Sequence, residues 1–377
     1  MRILILCYEF PPLGGGGGKV VAGLARQLVI DGHEVDILTS AWDNLPRQEV
    51  IDGISVFRVK TLRTRADRSN PLELAWYLVA ALPSLHRLLK HRRYDVCNCH
   101  FIFPDGLLTP MLKIWWSLPV VLTAHGSDVP NYNPERFRLL HWLLSPLWRR
   151  VVKQAGMISC PSPTLERLIL SQISDIRTRV IPNGFDPDRF DPTLERKNRI
   201  VVVSRLFKRK GIQHVIEAFT SLKTQYELHI VGDGPYRPEL EVMARQSVNR
   251  VRFWGWLDNA DPQLKRLYEV AAIFVLPSQA ENFPVSLLEA MASGLAIITT
   301  RGTGCQDVVG DAALLVDHGD VTALQIALQR LVKDQALQRR LGRKARIRIE
   351  HNFAWPLVSQ QYADAFANAA AAARPDL

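Results

Sequence analysis

The chain has 377 residues, of which 47% are hydrophobic and 22% charged, the proportions of a folded globular protein. A single core rarely occupies so many residues, so we expect two domains. Five scattered cysteines indicate no disulfide framework, and no apolar run reaches the about 18 residues that a membrane span needs. The first apolar run is short and is followed at once by Glu9, which is not the pattern of a signal peptide. We therefore predict a cytoplasmic protein, with peripheral attachment to the inner face of the membrane as an alternative.

The net charge of +10 lies mostly in the first half of the chain, where residues 1–182 contain 22 Lys and Arg against 15 Asp and Glu. One group of cations comprises Arg58, Lys60, Arg63, Arg65, Arg68, Arg87, Lys90, Arg92 and Arg93. A second group, interleaved with leucines and with Trp142 and Trp148, comprises Arg136, Arg138, Arg149, Arg150 and Lys153. That mixture is typical of a helix on an anionic membrane surface, and equally of a solvated helix face above a buried one. The first group lacks interleaved aromatic residues for base stacking, which argues against nucleic-acid binding.

Short apolar strands alternate with longer helical stretches in the first half, a pattern that predicts a parallel α/β domain. The predicted strands are residues 3–7, 35–39, 96–99, 120–123 and 157–160. The predicted helices between them are residues 19–30, 72–90 and 104–116, the last of which ends on Trp115 and Trp116.

The same pattern restarts after the turn-rich sequence Ile181-Pro182-Asn183-Gly184. The second set of strands is 200–203, 227–231, 251–254, 273–276 and 296–299. The second set of helices is 211–220, 238–246, 262–270, 285–293, 321–331 and 335–350. We therefore predict two similar α/β domains, 1–182 and 183–354, facing a central cleft, with a final helix at about 355–377 that packs back on the first domain.

Five consecutive glycines, Gly14 to Gly18, stand between the first predicted strand and helix. A backbone without Cβ atoms can approach a ligand closely, and the helix that follows offers free N–H groups to a phosphate. The acidic residue that a dinucleotide site needs after the second strand is absent, since Thr39 and Ser40 stand there. The segment therefore indicates an anion site or a flexible loop, and it does not indicate an NAD site.

Two further segments carry polar residues at the carboxyl ends of predicted strands, where α/β folds bind ligands. Arg205 and Lys210 follow a strand of the second half, and both side chains suit phosphate oxygens. Glu281 and Glu289 are eight residues apart, at about two helical turns, around a helix that Pro284 opens. Their carboxylates can accept hydrogen bonds from sugar hydroxyls, while the first amides of the helix can receive phosphates.

With these motifs the chain resembles the retaining glycosyltransferases of family 4, which have the GT-B fold of two Rossmann-like domains. The resemblance covers nearly the whole chain and rests on the glycine segment, Thr123-Ala-His125-Gly126-Ser-Asp128, Pro182-Asn-Gly-Phe-Asp186, Ser204 to Gly211, Val231-Gly-Asp-Gly-Pro235 and Glu281 to Glu289. Two positions depart from the family pattern. Pro284 replaces the glycine of Glu-x-Phe-Gly, and Asp307 stands in place of a later glutamate.

The resemblance implies a role for each matching residue. Four are implied to act at the reacting centre: His125 and Glu281 on the transferred sugar, and Arg205 and Lys210 on the leaving pyrophosphate. The donor-binding positions it implies are Gly16, Gly17, Asn183, Gly232, Phe283, Pro284, Val285 and Glu289. The first domain is implied to bind the acceptor.

The sequence as a whole predicts an enzyme that transfers a hexose from a UDP- or GDP-sugar to a glycan or lipid-linked acceptor with retention of configuration, in the synthesis of a cell-envelope or secreted polysaccharide. Two alternatives share the fold: a sugar-nucleotide epimerase and a non-catalytic protein that binds nucleotide sugars. We expect no metal or other cofactor, because no Asp-x-Asp pair follows a predicted strand and two cations can serve the leaving phosphate. An anionic membrane surface is an additional predicted partner.

Overall fold

The computed structural model describes residues 1–66, 69–132 and 138–373, with the side chains of 138–142 left out. The chain forms two compact units. Unit 1 comprises Met1–Gly184 together with the chain from Trp355 onward, and unit 2 comprises Phe185–Ala354. The predicted division after residue 182 falls two residues before the one in the structure.

Unit 1 is built on a sheet whose strands, in chain order, are β1 (Arg2–Leu6), β2 (Glu34–Ser40), β3 (Gln48–Ile51), β4 (Ile54–Val59), β5 (Val96–His100), β6 (Val120–Thr123), β7 (Met157–Cys160) and β8 (Thr178–Val180). Across the sheet the order is β3-β4-β2-β1-β5-β6-β7-β8. Neighbouring strands are parallel except β3 and β4, which form an antiparallel hairpin.

Unit 2 is built on a second sheet, with strands β9 (Arg199–Val203), β10 (Glu227–Val231), β11 (Val251–Gly255), β12 (Ile273–Leu276), β13 (Ala296–Thr300) and β14 (Ala313–Val316). Its order is β11-β10-β9-β12-β13-β14, and every pair is parallel. The predicted α/β class with two parallel-sheet domains is therefore confirmed.

Helices connect the strands of both sheets. In chain order they are α1 (Gly16–Ile30), α2 (Pro71–His91), α3 (Thr109–Trp116), α4 (Arg138–Gln154), α5 (Pro163–Gln172), α6 (Ile212–Thr220), α7 (Arg237–Ala244), α8 (Pro262–Val270), α9 (Val285–Ala292), α10 (Gly304–Val309), α11 (Val321–Lys333), α12 (Gln335–Asn352) and α13 (Trp355–Ala372). The stretch 104–116, predicted as one helix, is a 3-10 turn at Asp105–Leu108 followed by α3.

Helices cover both faces of the sheet in unit 1. Alternate residues of β1 point to opposite faces, so Leu4 and Leu6 pack with α2 to α5, whereas Ile3 and Ile5 pack with α1 and α13. The final helix is thus part of the core of unit 1, and the hydroxyl of Ser359 donates to the Asp31 carboxylate at 2.6 Å. Unit 2 repeats this three-layer arrangement, with α6, α7 and α11 on one face and α8, α9 and α10 on the other.

Several residues of the two predicted cationic groups are buried. Arg58 is 4% exposed and pairs with Glu49, and the side chain of Arg63 is 2% exposed. Trp148 is 1% exposed and its indole N–H donates to the Asp128 carbonyl oxygen at 3.0 Å. Trp148 therefore fits the alternative of a buried helix face and not that of a membrane-facing one, and the two arginines are stable inside the core because each has a carboxylate partner.

Other members of the two predicted cationic groups have different outcomes. Arg92 pairs with Asp36 at 2.7 Å. Arg68 and Arg136, together with the side chains of Arg138 and Trp142, lie outside the described residues.

Candidate functional site

A polar site of unit 2 lies at the carboxyl ends of β9 and β12, which are neighbours in the middle of the sheet. The chain leaves β9 towards β10 on one side and β12 towards β13 on the other, so the two following loops diverge and leave a crevice between them. The first loop carries residues 204–211 and the second carries residues 277–284. This is the place at which open parallel sheets bind ligands.

An ion pair joins these two loops. The Lys210 ammonium contacts the Glu281 carboxylate, and only 11% and 13% of the two side chains is exposed. Each charge would be costly to bury alone, so each fixes the position of the other. Two residues 71 positions apart in sequence are thereby held together without a ligand.

Arg205 stands at the start of the first loop and is exposed. Its guanidinium lies over the Phe207 ring at 5.6 Å, and no carboxylate in the described part of the chain forms an ion pair with it. An arginine held on an aromatic ring with its N–H groups unpaired is prepared for an anionic ligand. Phosphate oxygens would match its forked donors.

The second loop ends at the first turn of α9. Pro284 is the cap residue of this helix and no side chain caps the helix N-terminus, so the amides of Val285 and Ser286 have no partner within the helix. Those amides and the positive end of the helix dipole favour an anion. Phe283 is 8% exposed and packs edge-to-face on Phe353 at 5.2 Å, so its side chain is part of the core.

Glu289 lies one turn further along α9 and is 1% exposed. The side-chain amide of Asn259, in the loop after β11, donates to its carboxylate at 2.9 Å. Tyr268 is also close, since burial and the Glu289 carboxylate raise the pKa of Tyr268 well above its usual value. The carboxylate is therefore oriented by neighbours that the sequence did not reveal; the only signal was the Asp258-Asn259 turn after a strand.

Close backbone approaches pack the loops of this site against one another. A Cβ atom on Gly232, whose φ is +128°, would lie 1.9 Å from the Ser204 carbonyl oxygen. A Cβ atom on Gly304 would lie 1.8 Å from the Asn282 carbonyl oxygen, and the Gly304 amide donates to the Glu281 carbonyl oxygen at 2.9 Å. The loops that carry the cations and carboxylates therefore form one closely packed edge.

The glycine segment lies at the carboxyl end of β1 in unit 1. The structure differs from a five-residue loop, because α1 begins at Gly16 and its first turn contains Gly16, Gly17 and Gly18. The amide of Gly15 donates to the Glu9 carboxylate at 3.3 Å, and the amide of Gly14 donates to the Ala66 carbonyl oxygen at 2.8 Å. The segment is therefore held in one conformation by its neighbours.

His125 follows β6 and lies in a stack of rings beside this segment. Its ring is 4.3 Å from that of Phe101, and a Cβ atom on Gly17 would lie 2.6 Å from Phe101 Cζ. His125 Nε2 is 3.1 Å from His100 Nδ1. The Asp128 carboxylate accepts the backbone amides of His125 and Gly126 at 3.0 and 2.8 Å and thereby fixes the turn. Burial lowers the pKa of His125 to about 4.

Asp105 is a buried carboxyl of the same edge that the sequence did not identify. It accepts the Tyr77 hydroxyl at 2.7 Å and the backbone amide of Tyr8 at 3.1 Å, so it connects α2 with the second residue after the end of β1. Burial raises the pKa of Asp105 to about 7 despite these hydrogen bonds. It supports the backbone that leads to the glycine segment.

The structure brings the predicted residues together in two sets. Arg205, Lys210, Glu281 and the start of α9 share one edge of unit 2, with Gly232 in the loop after β10; Gly16, Gly17 and His125 share one edge of unit 1. Asn183 is buried and belongs to unit 1, not to the second domain in which the sequence placed it. In the described ranges no group of three or more His, Cys, Asp or Glu side chains is arranged to hold a metal ion.

Two family models match consecutive parts of this chain. The model of glycosyltransferase family 4 matches residues 14–189, and that of glycosyl transferases group 1 matches residues 185–348. The matched residues include both sets of site residues. The chain belongs to these glycosyltransferases. Family membership favours the predicted transferase over the epimerase and the non-catalytic binding protein.

Relatives with named activities cover almost the full chain. N-acetyl-alpha-D-glucosaminyl L-malate synthase of Bacillus anthracis is 27% identical over 96% of this chain and 95% of its own length. MMP alpha-(1->4)-mannosyltransferase of Mycolicibacterium hassiacum is 28% identical over 96% of each chain.

Solved structures show the same fold. Sucrose-phosphate synthase of Thermosynechococcus elongatus matches with a TM-score of 0.85 and 23% identity over 99% of this glycosyltransferase and 100% of that chain. HepE of Anabaena, solved in complex with UDP and glucose, matches with a TM-score of 0.75 and 19% identity over 97% and 99% of the two chains. The fold of this glycosyltransferase is GT-B, as the resemblance implied.

We predict that His125 is neutral throughout the range from pH 5 to 8. Its pKa of about 4 in the folded state is below the about 6.5 of an exposed histidine, so the unfolded chain binds more protons between these values. The contribution of His125 to stability is therefore present above about pH 6.5 and is lost as the pH falls towards 4. A pH titration by NMR, with His125→Gln to assign the signal, measures the midpoint; a value near 6.5 would contradict the buried environment.

Proposed function

We propose that this glycosyltransferase transfers a hexose from a UDP- or GDP-sugar to a glycan or lipid-linked acceptor, with retention of the anomeric configuration. The observation that carries the proposal is the edge of unit 2 at which the Lys210–Glu281 pair, the unpaired Arg205 and the first amides of α9 occur together. Cations and amides suit the two phosphates of a nucleoside diphosphate, and a carboxylate beside them suits sugar hydroxyls.

Within the donor, the leaving phosphate is the group for which stabilisation by cations matters most. When the bond between sugar and phosphate breaks, negative charge grows on the departing phosphate and positive charge grows on the sugar. Arg205 and Lys210 are proposed to stabilise the first charge. The contact with Glu281 orients Lys210 before the reaction, which is the condition for electrostatic catalysis. The same cations stabilise the nucleoside diphosphate once it has formed.

Retention is proposed through attack on the face from which the phosphate leaves, with no covalent intermediate on the enzyme. The donor phosphate then accepts the proton of the attacking hydroxyl. Glu281 is a poor candidate for a covalent nucleophile, because its carboxylate already contacts Lys210 and has the position of a hydrogen-bond acceptor. His125, neutral at physiological pH, is proposed to contact the donor sugar as a hydrogen-bonding group.

The acceptor is proposed to bind to unit 1. A cavity of about 350 Å³ at the carboxyl ends of β2 and β4 is lined by Trp42, Asp43, Lys60, Thr61 and Arg63, with Ala41 at its wall. An indole, a carboxylate and an ammonium are groups that suit a sugar, and the buried Thr61 hydroxyl has no hydrogen-bond partner among the described residues. Arg63 also donates to the Ala66 carbonyl oxygen at 3.0 Å, and the same oxygen accepts the Gly14 amide at 2.8 Å, which joins this cavity to the glycine segment.

A role in cell-envelope or secreted polysaccharide synthesis, at the inner surface of the membrane, is part of the proposal. The excess of cations in unit 1 supports it, because lipid-linked acceptors and the membrane around them carry negative charge. No helix in the described part of the chain is long and apolar enough to cross a bilayer. Contact with a membrane would therefore be made by a surface of the folded protein.

In a screen of UDP-, GDP- and ADP-linked hexoses, we expect the donor to be hydrolysed slowly by the enzyme alone and to be transferred once an acceptor is supplied. Among these nucleotides, UDP and GDP are the expected donors. The first-formed product should have the anomeric configuration of the donor, which proton NMR reads directly from the coupling of the anomeric proton. An inverted product would contradict the proposed front-face reaction, and interconversion of sugar nucleotides without transfer would indicate an epimerase.

We expect Arg205→Ala to lower kcat by about 100- to 1,000-fold, the range found when one charge-stabilising donor is removed from an active site. The side chain is exposed and has no carboxylate partner, so the melting temperature should not change. Lys208→Ala is the matched control, since it removes an exposed cation three residues away in the same loop. Equal activity of the two variants would contradict the role of Arg205.

We expect transfer to continue unchanged after treatment with EDTA. The reason is that Arg205, Lys210 and the α9 amides provide positive charge where a divalent cation would otherwise neutralise the phosphates. Rates are measured before and after chelation and again with Mg²⁺ or Mn²⁺ added. Loss of activity on chelation with recovery on metal addition would show that the cations do not suffice.

A further inference from the structure

The outward side of the helical layer α2–α4 in unit 1 carries an unusual number of exposed apolar side chains. Of the 18 large hydrophobic side chains that are exposed in the described part of the chain, eight lie on these three helices. They are Leu72, Trp76, Val79, Leu82, Ile114, Trp115, Leu143 and Leu147. Soluble proteins normally scatter such residues singly, so a concentration in one layer indicates an interaction surface.

The three helices form one layer, and we call the outward side of this layer the α2–α4 face. Their inward side chains Tyr77, Leu112 and Trp148 belong to the same core cluster on the same side of the sheet. At the outside, the rings of His86 in α2 and Trp116 in α3 lie 5.6 Å apart in an edge-to-face contact. The outer sides of α2 and α3 are therefore in contact, and α4 packs in the same layer through the shared core cluster.

The pattern on α2 is that of a helix with two apolar sides. Leu72, Trp76 and Val79 follow the spacing of one helix face and are 80%, 46% and 60% exposed. Tyr77 and Leu85, on the opposite face, are buried in the core. Packing within unit 1 accounts for the second face and leaves the first without a partner in the described structure.

The same three helices also carry exposed cations. The exposed ones on the three helices are Arg87, Lys90, Lys113, Arg149, Arg150 and Lys153. None of them forms an ion pair with another described residue, and the one described acidic residue on these helices, Glu73, is buried. The α2–α4 face therefore combines unpaired positive charge with apolar side chains and no exposed negative charge within the described ranges.

We propose that the α2–α4 face binds the surface of an anionic lipid bilayer. The cations would lie among the lipid phosphates, while the leucine, isoleucine and tryptophan side chains enter the boundary between headgroups and acyl chains. Trp76 and Trp115 suit that depth, because an indole is apolar with one polar N–H. A second copy of the chain is a poor occupant, since two such faces would bring like charges together.

The proposed bilayer contact rests on the proposed function in one respect, since a bilayer on this face would bring unit 1 to lipid-linked acceptors. Binding to lipid is a separate measurement from transfer. The assay therefore uses the full chain with vesicles alone, without donor or acceptor, so that failure of lipid binding and failure of the transfer reaction are told apart.

The experiment is co-sedimentation with phosphatidylcholine vesicles that contain or lack phosphatidylglycerol, at low and high salt. We expect binding to the anionic vesicles, weakened by salt. Replacing two cations of α4, Arg149→Gln with Lys153→Gln, should lower the partition coefficient by about 25-fold. Replacing three apolar residues, Trp76→Gln, Val79→Gln and Ile114→Gln, should lower it by more than about tenfold.

Matched controls come from unit 2. Val242→Gln, Val248→Gln and Ile326→Gln remove three side chains that are 56%, 90% and 61% exposed, and Arg339→Gln with Arg343→Gln remove two exposed cations. Both control variants should bind like the wild type, and all variants should keep the wild-type melting temperature.

Three outcomes would overturn the proposal. They are no preference for anionic over neutral vesicles, equal effects of the face variants and their controls, and a concentration-dependent dimer in solution that the apolar variant abolishes while vesicle binding is unchanged.

Discussion

The ion pair between Lys210 and Glu281 is the constraint on which one edge of unit 2 depends, the edge at the carboxyl ends of β9 and β12 where we propose that the donor binds and which we call the donor edge. It connects two loops that leave neighbouring strands in opposite directions, and both side chains are largely buried. Two such charges are stable only together, so the crevice is formed before any ligand arrives. A phosphate that binds here would contact the Lys210 ammonium, which the Glu281 carboxylate also contacts. Oxygen lone pairs of Glu281 that no longer accept from Lys210 would then accept hydrogen bonds from sugar hydroxyls. In the proposed reaction, the pair would thus link recognition of the sugar to recognition of its leaving group.

Unit 1 uses buried charge for a different purpose. Its carboxylates Glu9, Asp105 and Asp128 each accept backbone amides, and they fix the turns after β1, β5 and β6. Arg63 serves the same edge through the carbonyl oxygens that it reaches. Arg58 and Arg63 are therefore structural, although they belong to a cationic group of the sequence. Six exposed cations lie on the helices α2, α3 and α4, which also expose apolar side chains, and this is the face that we propose to bind a bilayer.

Sequence patterns predicted the central strands well because buried parallel strands are continuous apolar runs, as in β9 and β12. They missed β3 and β4, although Asp52-Gly53 is a hairpin signal, because those strands alternate apolar and polar residues and are short. Trp148 was misplaced because a helix with cations on both sides of an indole does not reveal which side faces the sheet. Asn259 and Asp105 were missed for a further reason: each acts through a residue distant in sequence, and only tertiary contacts bring the partners together. The motif residues, by contrast, follow strand ends and were found from position alone.

The close backbone contacts at the donor edge limit how this enzyme can change by mutation. Gly232 and Gly304 each face a carbonyl oxygen of another loop at a distance that leaves no room for a side chain. A substitution at either would displace Ser204 or Asn282, and with them the residues next in line, Arg205 and Glu281. Variation in the proposed donor site is therefore expected at positions without such close backbone contacts. The departure from the family pattern at Pro284, the cap residue of α9, is a substitution that lies beside these fixed contacts and not within them.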